Sequence, residues 1–181
     1  MSKMRSTYIS NMGGFLFSIC LFVLPILGMA QDKKVDSFAF RMLLNSMLKH
    51  DVREILIDSA YTLHQKGEAV FLDARERGEY EVSHIKEAKW VGFDDFKIER
   101  VEDIKKSSPV VVYCSIGARS EKITRTLKEQ GFTQVYNLYG GIFEWVNKEY
   151  PIYKEGKPTD SVHGYSKMWS VWLNKGTVVY E

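Results

Sequence analysis

The amino-acid sequence predicts an α/β fold in which helices cover both faces of a five-stranded parallel sheet. Short apolar segments alternate with helical segments along the chain, which is the usual order in such sheets. The segment PVVVYC at 109–114 is an unbroken apolar run, typical of a central strand buried on both faces. Asp73, Cys114 and Gly140 each fall at the carboxyl end of a predicted strand, where sites in parallel sheets form.

The predicted elements follow one another with short connections. Residues 35–50 place Phe38, Met42, Leu43 and Met47 at helical spacing, which indicates an amphipathic helix. Asp58 is a candidate cap for the helix that follows the first strand. The predicted strands are 55–57, 69–73, 89–93, 109–114 and 134–138, and the predicted helices after the first are 59–66, 94–106, 119–130 and 140–150. The helix at 119–130 is expected to bury Ile123 and Leu127, one turn apart.

The first 30 residues differ from the rest. A basic start (Lys3 and Arg5), an apolar stretch at 15–30 and an ending in small residues are typical of a secretory signal peptide cut before Gln31. The alternative is an uncleaved N-terminal membrane anchor. We therefore expect an exported, periplasmic or secreted protein without stable membrane insertion once the leader is removed.

The remaining chain divides into three predicted parts. Residues 31–51 form an N-terminal helical extension, 52–154 the domain, and 155–181 a C-terminal extension. The extension contains Tyr165, Met168, Trp169 and Trp172, and we expect it to pack on the domain because large exposed apolar patches are rare.

Charge and cysteine content narrow the possible functions. The 181 residues include 25 basic and 23 acidic side chains, and loss of the leader removes two basic residues, which leaves no net charge. This balance argues against a nucleic-acid-binding surface. The four histidines show no metal-ligand spacing. Cys114 is the single cysteine left after removal of the leader, so it cannot form an internal disulfide.

The segment around Cys114 has the features of a nucleophilic loop. A cysteine placed just before a helix receives the positive end of the helix dipole, which favours the thiolate. Gly117 permits a tight turn in which successive N–H groups of residues 115–120 face the sulfur. Arg119 adds a permanent cation, and Ser120 is a candidate helix cap. We expect the thiol to meet solvent at the strand end. The alternative is a buried structural cysteine beside a solvated arginine.

Three segments resemble the signature blocks of rhodanese-like domains. CSIGARS at 114–120 is similar to the C-x-x-G-x-R-S loop, FLDARERGEY with SHIKEAKWV to the upstream block, and VYNLYGGIFEW to the closing strand and helix. The blocks lie in family order between about residues 52 and 152. This resemblance implies a sulfurtransferase without metal or organic cofactor. Cys114 would carry sulfur as a persulfide, held by the loop Ser115, Ile116, Gly117, Ala118, Arg119 and Ser120, from a small donor to a thiol or cyanide acceptor.

The resemblance also implies residues that support the site, and the sequence departs from the family pattern at several positions. Asp73 and Arg75 match the family's D-x-R pair, and an ion pair that fixes the site loops is the favoured interpretation. Ser83 and Glu87 stand where glycine is usual. Ser115 and Ile116 occupy positions where thiosulfate-using members often carry Arg or Lys, which weakens the case for thiosulfate as donor.

Two other functions remain open on the same fold. Phosphatases and arsenate reductases use C-x₅-R, whereas four residues separate Cys114 from Arg119 here. A non-catalytic binding module commonly lacks the cysteine. Thioredoxin-like exchange is weaker, because the chain has no C-x-x-C motif.

Overall fold

The computed structural model of the protein describes residues 37–180, so the predicted leader lies outside the described residues. The helices are α1 (Phe38–Met47), α2 (Ile57–Lys66), α3 (Arg77–Val82), α4 (Ala118–Glu129) and α5 (Gly141–Asn147), with short 3-10 helices at Ile98–Val101 and Ser170–Trp172. The strands are β1 (Glu54–Ile55), β2 (Val70–Asp73), β3 (Lys89–Trp90), β4 (Val110–Tyr113), β5 (Val135–Leu138), β6 (Ile152–Lys154), β7 (Lys157–Thr159), β8 (Ser161–His163) and β9 (Thr177–Val179).

The first five strands form the predicted parallel sheet, in the order β1-β5-β4-β2-β3. Strand β4 is central, with β2 on one side and β5 on the other, and all four of its residues are fully buried. The unbroken apolar run at 110–113 is explained by this position, because helices cover the sheet on both faces. The predicted fold class is confirmed.

Two hydrophobic cores occupy the two faces of the sheet. Val111 and Tyr113 point into one core, which also contains buried residues of α1, α2 and α5. Val110 and Val112 point into the other core, where Ile123 and Leu127 of α4 are buried as predicted. Each fully buried aliphatic side chain stabilises the fold by about 1.5–3 kcal/mol. The packing holds the carboxyl end of β4 between α4 and α5.

Helix α1 is present, but the predicted apolar face is wrong. Phe38 and Met42 are exposed, at 69% and 55%, whereas Phe40 and Leu44 are buried. The segment has apolar residues on more than one side, so spacing alone did not decide which row would pack. Phe40 faces the domain because its ring stacks on Trp172, with centroids 5.3 Å apart.

Other element boundaries also differ from the prediction. Ile57 begins α2 instead of ending β1, and Leu56 occupies the cap position predicted for Asp58. The Asp58 carboxylate instead accepts hydrogen bonds from Lys148 and Tyr150, at 2.9 and 2.8 Å. Of the charged segment 94–106, residues Ile98–Val101 form a short 3-10 helix.

The residues after α5 form two small sheets that the sequence did not indicate. Strands β6 and β7 make an antiparallel hairpin across the predicted boundary at residue 154, and β8 pairs in parallel with β9. Val162 is fully buried. Asn147 of α5 donates to the Trp172 carbonyl at 2.9 Å and accepts from the Asn174 N–H at 2.7 Å, which ties the C-terminal extension to α5. No helix within residues 37–180 has the length and apolar character to cross a membrane.

Candidate active site

Cys114 directly follows β4 and lies at the carboxyl edge of the sheet. Cys114 is 1% exposed, so the expectation that the thiol meets open solvent is wrong. The sulfur accepts a hydrogen bond from the Gly117 N–H at 3.2 Å. The N–H groups of the first turn of α4 follow immediately, and such groups have no partner within their own helix. The thiol therefore lies beneath the surface, with the Gly117 N–H as a backbone donor to its sulfur and the start of α4 next along the chain.

Gly117 sets the shape of the loop after the cysteine. Its φ of +112° is a backbone conformation that side chains with a Cβ rarely adopt, and it occupies the cap position of α4. The expected capping by Ser120 is wrong, because Ser120 already lies in the first turn of α4. Its hydroxyl instead donates to Asn137 Oδ1 at 2.7 Å, and Asn137 Nδ2 donates to the Gly117 carbonyl at 3.1 Å. Asn137 of β5 thus fixes both ends of the turn.

The start of α5 holds the loop from the other side. The Ile142 and Phe143 N–H groups donate to the carbonyls of Cys114 and Ser115, at 2.9 and 3.0 Å. Gly141 makes this approach possible: it has a φ of +58°, and a Cβ there would lie 2.6 Å from the Ser115 carbonyl oxygen. The second glycine of the GG pair is therefore required for the backbone contact.

Arg119 forms a bidentate ion pair with Glu79 of α3. Its Nη1 donates to Oε2 at 2.6 Å and its Nη2 to Oε1 at 2.8 Å, and the Ser115 hydroxyl donates to the same Oε1 at 3.0 Å. Burial would raise the pKa of the Glu79 carboxyl, but the hydrogen bonds and charge of Arg119 outweigh it and hold that pKa below its usual range. The cation expected to face the substrate is thus already balanced by a carboxylate.

Asp73 and Arg75 form a second ion pair, and both side chains are fully buried. Arg75 Nε donates to Asp73 Oδ1 at 2.9 Å, while Arg75 Nη2 donates to Asp73 Oδ2 and to the Ser83 carbonyl, both at 2.6 Å. Burial would lower the pKa of Arg75, but Asp73 raises it further above its usual value. The pair links the end of β2 to the segment after α3 and does not line the cysteine pocket.

A pocket of about 140 Å³ lies over the thiol. Cys114, Ser115, Ile116, Ala118 and Arg119 of the predicted loop line it. Gly117 and Ser120 of that loop do not; they shape the turn instead. Three further lining residues lie outside the three segments that resemble the family signature: Met47 of α1, and Tyr165 and Trp169 of the C-terminal extension.

Sequence reasoning missed several residues of the site. A sequence signal for Glu79 existed, because it is the glutamate directly before the tyrosine in the quoted block FLDARERGEY. Its pairing with Arg119, however, spans 40 positions. Asn137 lies inside a predicted strand, and no feature of the sequence indicated a role for it in the site. Met47 was assigned to a packed face that the structure places elsewhere. Among residues 37–180, no cluster of three His, Cys, Asp or Glu side chains could hold a metal ion.

Comparison with known proteins gives consistent results. The family model for the rhodanese-like domain matches residues 56–148, a little over half of the chain. The thiosulfate sulfurtransferase GlpE of Coxiella burnetii is 37% identical over 86 residues, which cover 48% of this chain and 79% of that protein. The tRNA uridine(34) hydroxylase of Hamiltonella defensa is 36% identical over 117 residues, which cover 60% of this chain but 31% of that protein.

Solved structures agree on the fold. Thiosulfate sulfurtransferase from Pseudomonas aeruginosa superposes with a TM-score of 0.54 at 24% identity, over 66% of this chain and 23% of that chain. A rhodanese-related protein from Thermoplasma volcanium superposes with a TM-score of 0.51 at 23% identity, over 57% of this chain and 99% of that chain. By its sheet order, its cysteine loop and the match over residues 56–148, this chain belongs to the rhodanese-like domain family.

Proposed function

We propose that this chain is a sulfurtransferase that carries sulfane sulfur as a persulfide on Cys114. The observation that carries the proposal is the position of the thiol. It lies at the base of a small pocket, and its sulfur accepts a hydrogen bond from the Gly117 N–H at 3.2 Å. Helix α4 starts at the residue after Gly117. A helix N-terminus stabilises a nearby negative charge by about 0.3–1 kcal/mol, which favours both a thiolate and a terminal persulfide anion.

The first step is nucleophilic attack by the Cys114 thiolate on the outer sulfur of a donor. A bond forms between Sγ and that sulfur, while the bond between this sulfur and the rest of the donor breaks. The donor remnant leaves with the electron pair, as sulfite from thiosulfate or as a thiolate from an organic persulfide. The outer sulfur stays on Cys114.

The second step returns the cysteine to its starting state. Cyanide or a thiolate attacks the outer sulfur, the Sγ–S bond breaks, and the electron pair returns to Sγ. Each step exchanges one bond to sulfur for another. The loop therefore has to hold a negative charge at nearly constant position and does not have to supply a proton.

The geometry disfavours a phosphatase. A phosphate needs free donors around three oxygens, but the Arg119 guanidinium is engaged by Glu79 through both terminal nitrogens. The four-residue span between Cys114 and Arg119 also leaves a smaller loop than C-x₅-R enzymes use. We therefore expect no efficient cleavage of aryl phosphates.

Intact-mass analysis tests the proposal directly. Purified protein is incubated with thiosulfate and, in parallel, with an organic persulfide, and each sample is then treated with cyanide. The protein should gain the mass of one sulfur atom and lose it with formation of thiocyanate. Cys114→Ser keeps an acceptor for the Gly117 N–H and should fold normally, but it should gain no sulfur. Retained transfer in that variant, or no adduct on the parent with either donor, would overturn the proposal.

A further inference from the structure

The pocket over Cys114 is closed on one side by residues outside the family-matched segment 56–148. We propose that Met47, Tyr165 and Trp169, the apolar wall, make this pocket selective for an organic persulfide over thiosulfate as sulfur donor. The inference rests on the proposed sulfurtransferase function and names the donor class for the same site.

The apolar wall joins the two extensions at the mouth of the site. Met47 is the last residue of α1, whereas Tyr165 and Trp169 follow β8. Ile116 and Ala118 of the cysteine loop complete the apolar lining. A donor that reaches the buried sulfur therefore passes carbon and sulfur surfaces, which favour the carbon body of an organic donor.

The same pocket offers little to a dianion. Among the described residues that line it, Arg119 is the one charged side chain, and Glu79 balances that charge at 2.6 and 2.8 Å. The Tyr165 ring covers the guanidinium, with the Arg119 carbon 4.8 Å from the ring centroid. Thiosulfate would thus lose hydration of two charges without gaining a free cation, which is unfavourable in an apolar site.

The structure holds the wall in place. Tyr165 has a φ of +60°, an uncommon conformation for a residue with a side chain, and its N–H donates to His163 Nδ1 at 3.0 Å. The Trp169 N–H donates to the Ser166 carbonyl at 3.0 Å, and the Trp169 side chain packs against the core that contains Phe40. Residues held in this way present a defined surface to a donor.

The reaction with such a donor balances without any further reagent. For a hydropersulfide R–S–SH, the Cys114 thiolate forms a bond to the outer sulfur, which keeps its hydrogen. The R–S bond to that sulfur breaks, and R–S⁻ leaves with the electron pair. The products are a thiolate and the Cys114 hydropersulfide, whose acidic S–H then gives its proton to the released thiolate or to water and leaves the persulfide anion.

The test compares donors within each variant, with cyanide as the common acceptor. The ratio of kcat/KM for cysteine persulfide methyl ester to kcat/KM for thiosulfate does not depend on the fraction of folded enzyme. The parent should favour the persulfide by at least about tenfold. Trp169→Ala should lower the ratio about five- to tenfold through lost apolar contact. Met168→Ala, a change at a neighbouring side chain that is 70% exposed, should leave it unchanged.

A charge substitution gives the opposite test. Met47 is 39% exposed, so a polar side chain is tolerable there. Met47→Lys should raise kcat/KM for thiosulfate about tenfold relative to Met47→Gln, because it adds a free cation at the mouth.

The outcomes separate the two proposals. Absence of a Cys114 adduct with both donors would overturn the sulfurtransferase function itself. The donor selectivity alone would be overturned by a different result, in which both donors form the adduct. In that result the parent's kcat/KM ratio would favour thiosulfate, and neither Trp169→Ala nor Met47→Lys would change the ratio.

Discussion

Replacement of Glu79 by glutamine should destabilise the protein and free Arg119 at the same time. The Glu79 side chain is 4% exposed and accepts hydrogen bonds from both arms of Arg119, the Ser115 hydroxyl and the Glu76 N–H. Glutamine keeps the shape and one acceptor oxygen but removes the charge. Arg119 would then be a largely buried cation without its carboxylate.

The magnitude follows from the burial of the pair. Loss of one partner of a buried ion pair costs about 3–5 kcal/mol. The Arg119 side chain is 15% exposed, and glutamine retains part of the hydrogen bonding, so we expect about 2–3 kcal/mol here. At about 2–4 °C per kcal/mol for a chain of this size, the melting temperature should fall by roughly 5–10 °C.

The stability lost in Glu79→Gln should depend on pH. Because the folded-state pKa of Glu79 is lowered, its contribution is present above the unfolded-state pKa, about 4.3, and is lost as the pH falls through the folded value. The difference in melting temperature between Glu79→Gln and the parent should therefore begin to shrink as the pH falls below about 4.3, and it should vanish only below the lowered folded-state pKa of Glu79. At neutral pH the freed guanidinium should raise kcat/KM for thiosulfate about tenfold, since it regains an unpaired charge beside the thiol.

Glu76→Gln is the matched control. Its carboxylate is 48% exposed and 3.9 Å from Arg119, and glutamine keeps an acceptor oxygen for the capping box at the start of α3, so the change should cost less than about 1 kcal/mol. If Glu79→Gln melted within about one degree of the parent at pH 7 and used thiosulfate no better, the argued role of the Glu79–Arg119 pair would be refuted.

Three further predictions follow from other parts of the chain. Gly141→Ala should lower the free energy of unfolding by at least about 3 kcal/mol, because the new Cβ would overlap backbone carbonyls of the cysteine loop at a φ of +58°. Gly78→Ala is the control: no atom lies within 4 Å of its new Cβ, so it should not destabilise the protein. Deletion of residues 160–181 should lower the melting temperature by several degrees, about 2–4 °C per kcal/mol of lost packing; an unchanged curve would contradict it. We also propose that the leader is removed on export: N-terminal sequencing should begin near Gln31, and full-length chain in the membrane fraction would indicate an anchor instead.

Local patterns predicted the fold, whereas pairings between distant residues had to be seen in the structure. Strand β4 was recognisable because burial on both faces requires an unbroken apolar run. The face of α1 was not, since the choice between the Phe38 and Phe40 rows depends on stacking against Trp172, more than 130 positions later. The same holds for Arg119, whose type and position were clear but whose charge is balanced from α3.

The wall over Cys114 has a consequence for synthesis of the chain. Met47 emerges from the ribosome before the cysteine, but Tyr165 follows it by 51 residues. At about 5–20 residues per second, the thiol precedes the last part of its cover by roughly 3–10 seconds. During that interval an oxidant or a disulfide can reach the sulfur from the side that Tyr165 and Trp169 later close. The cysteine is therefore most vulnerable while the chain is still being made.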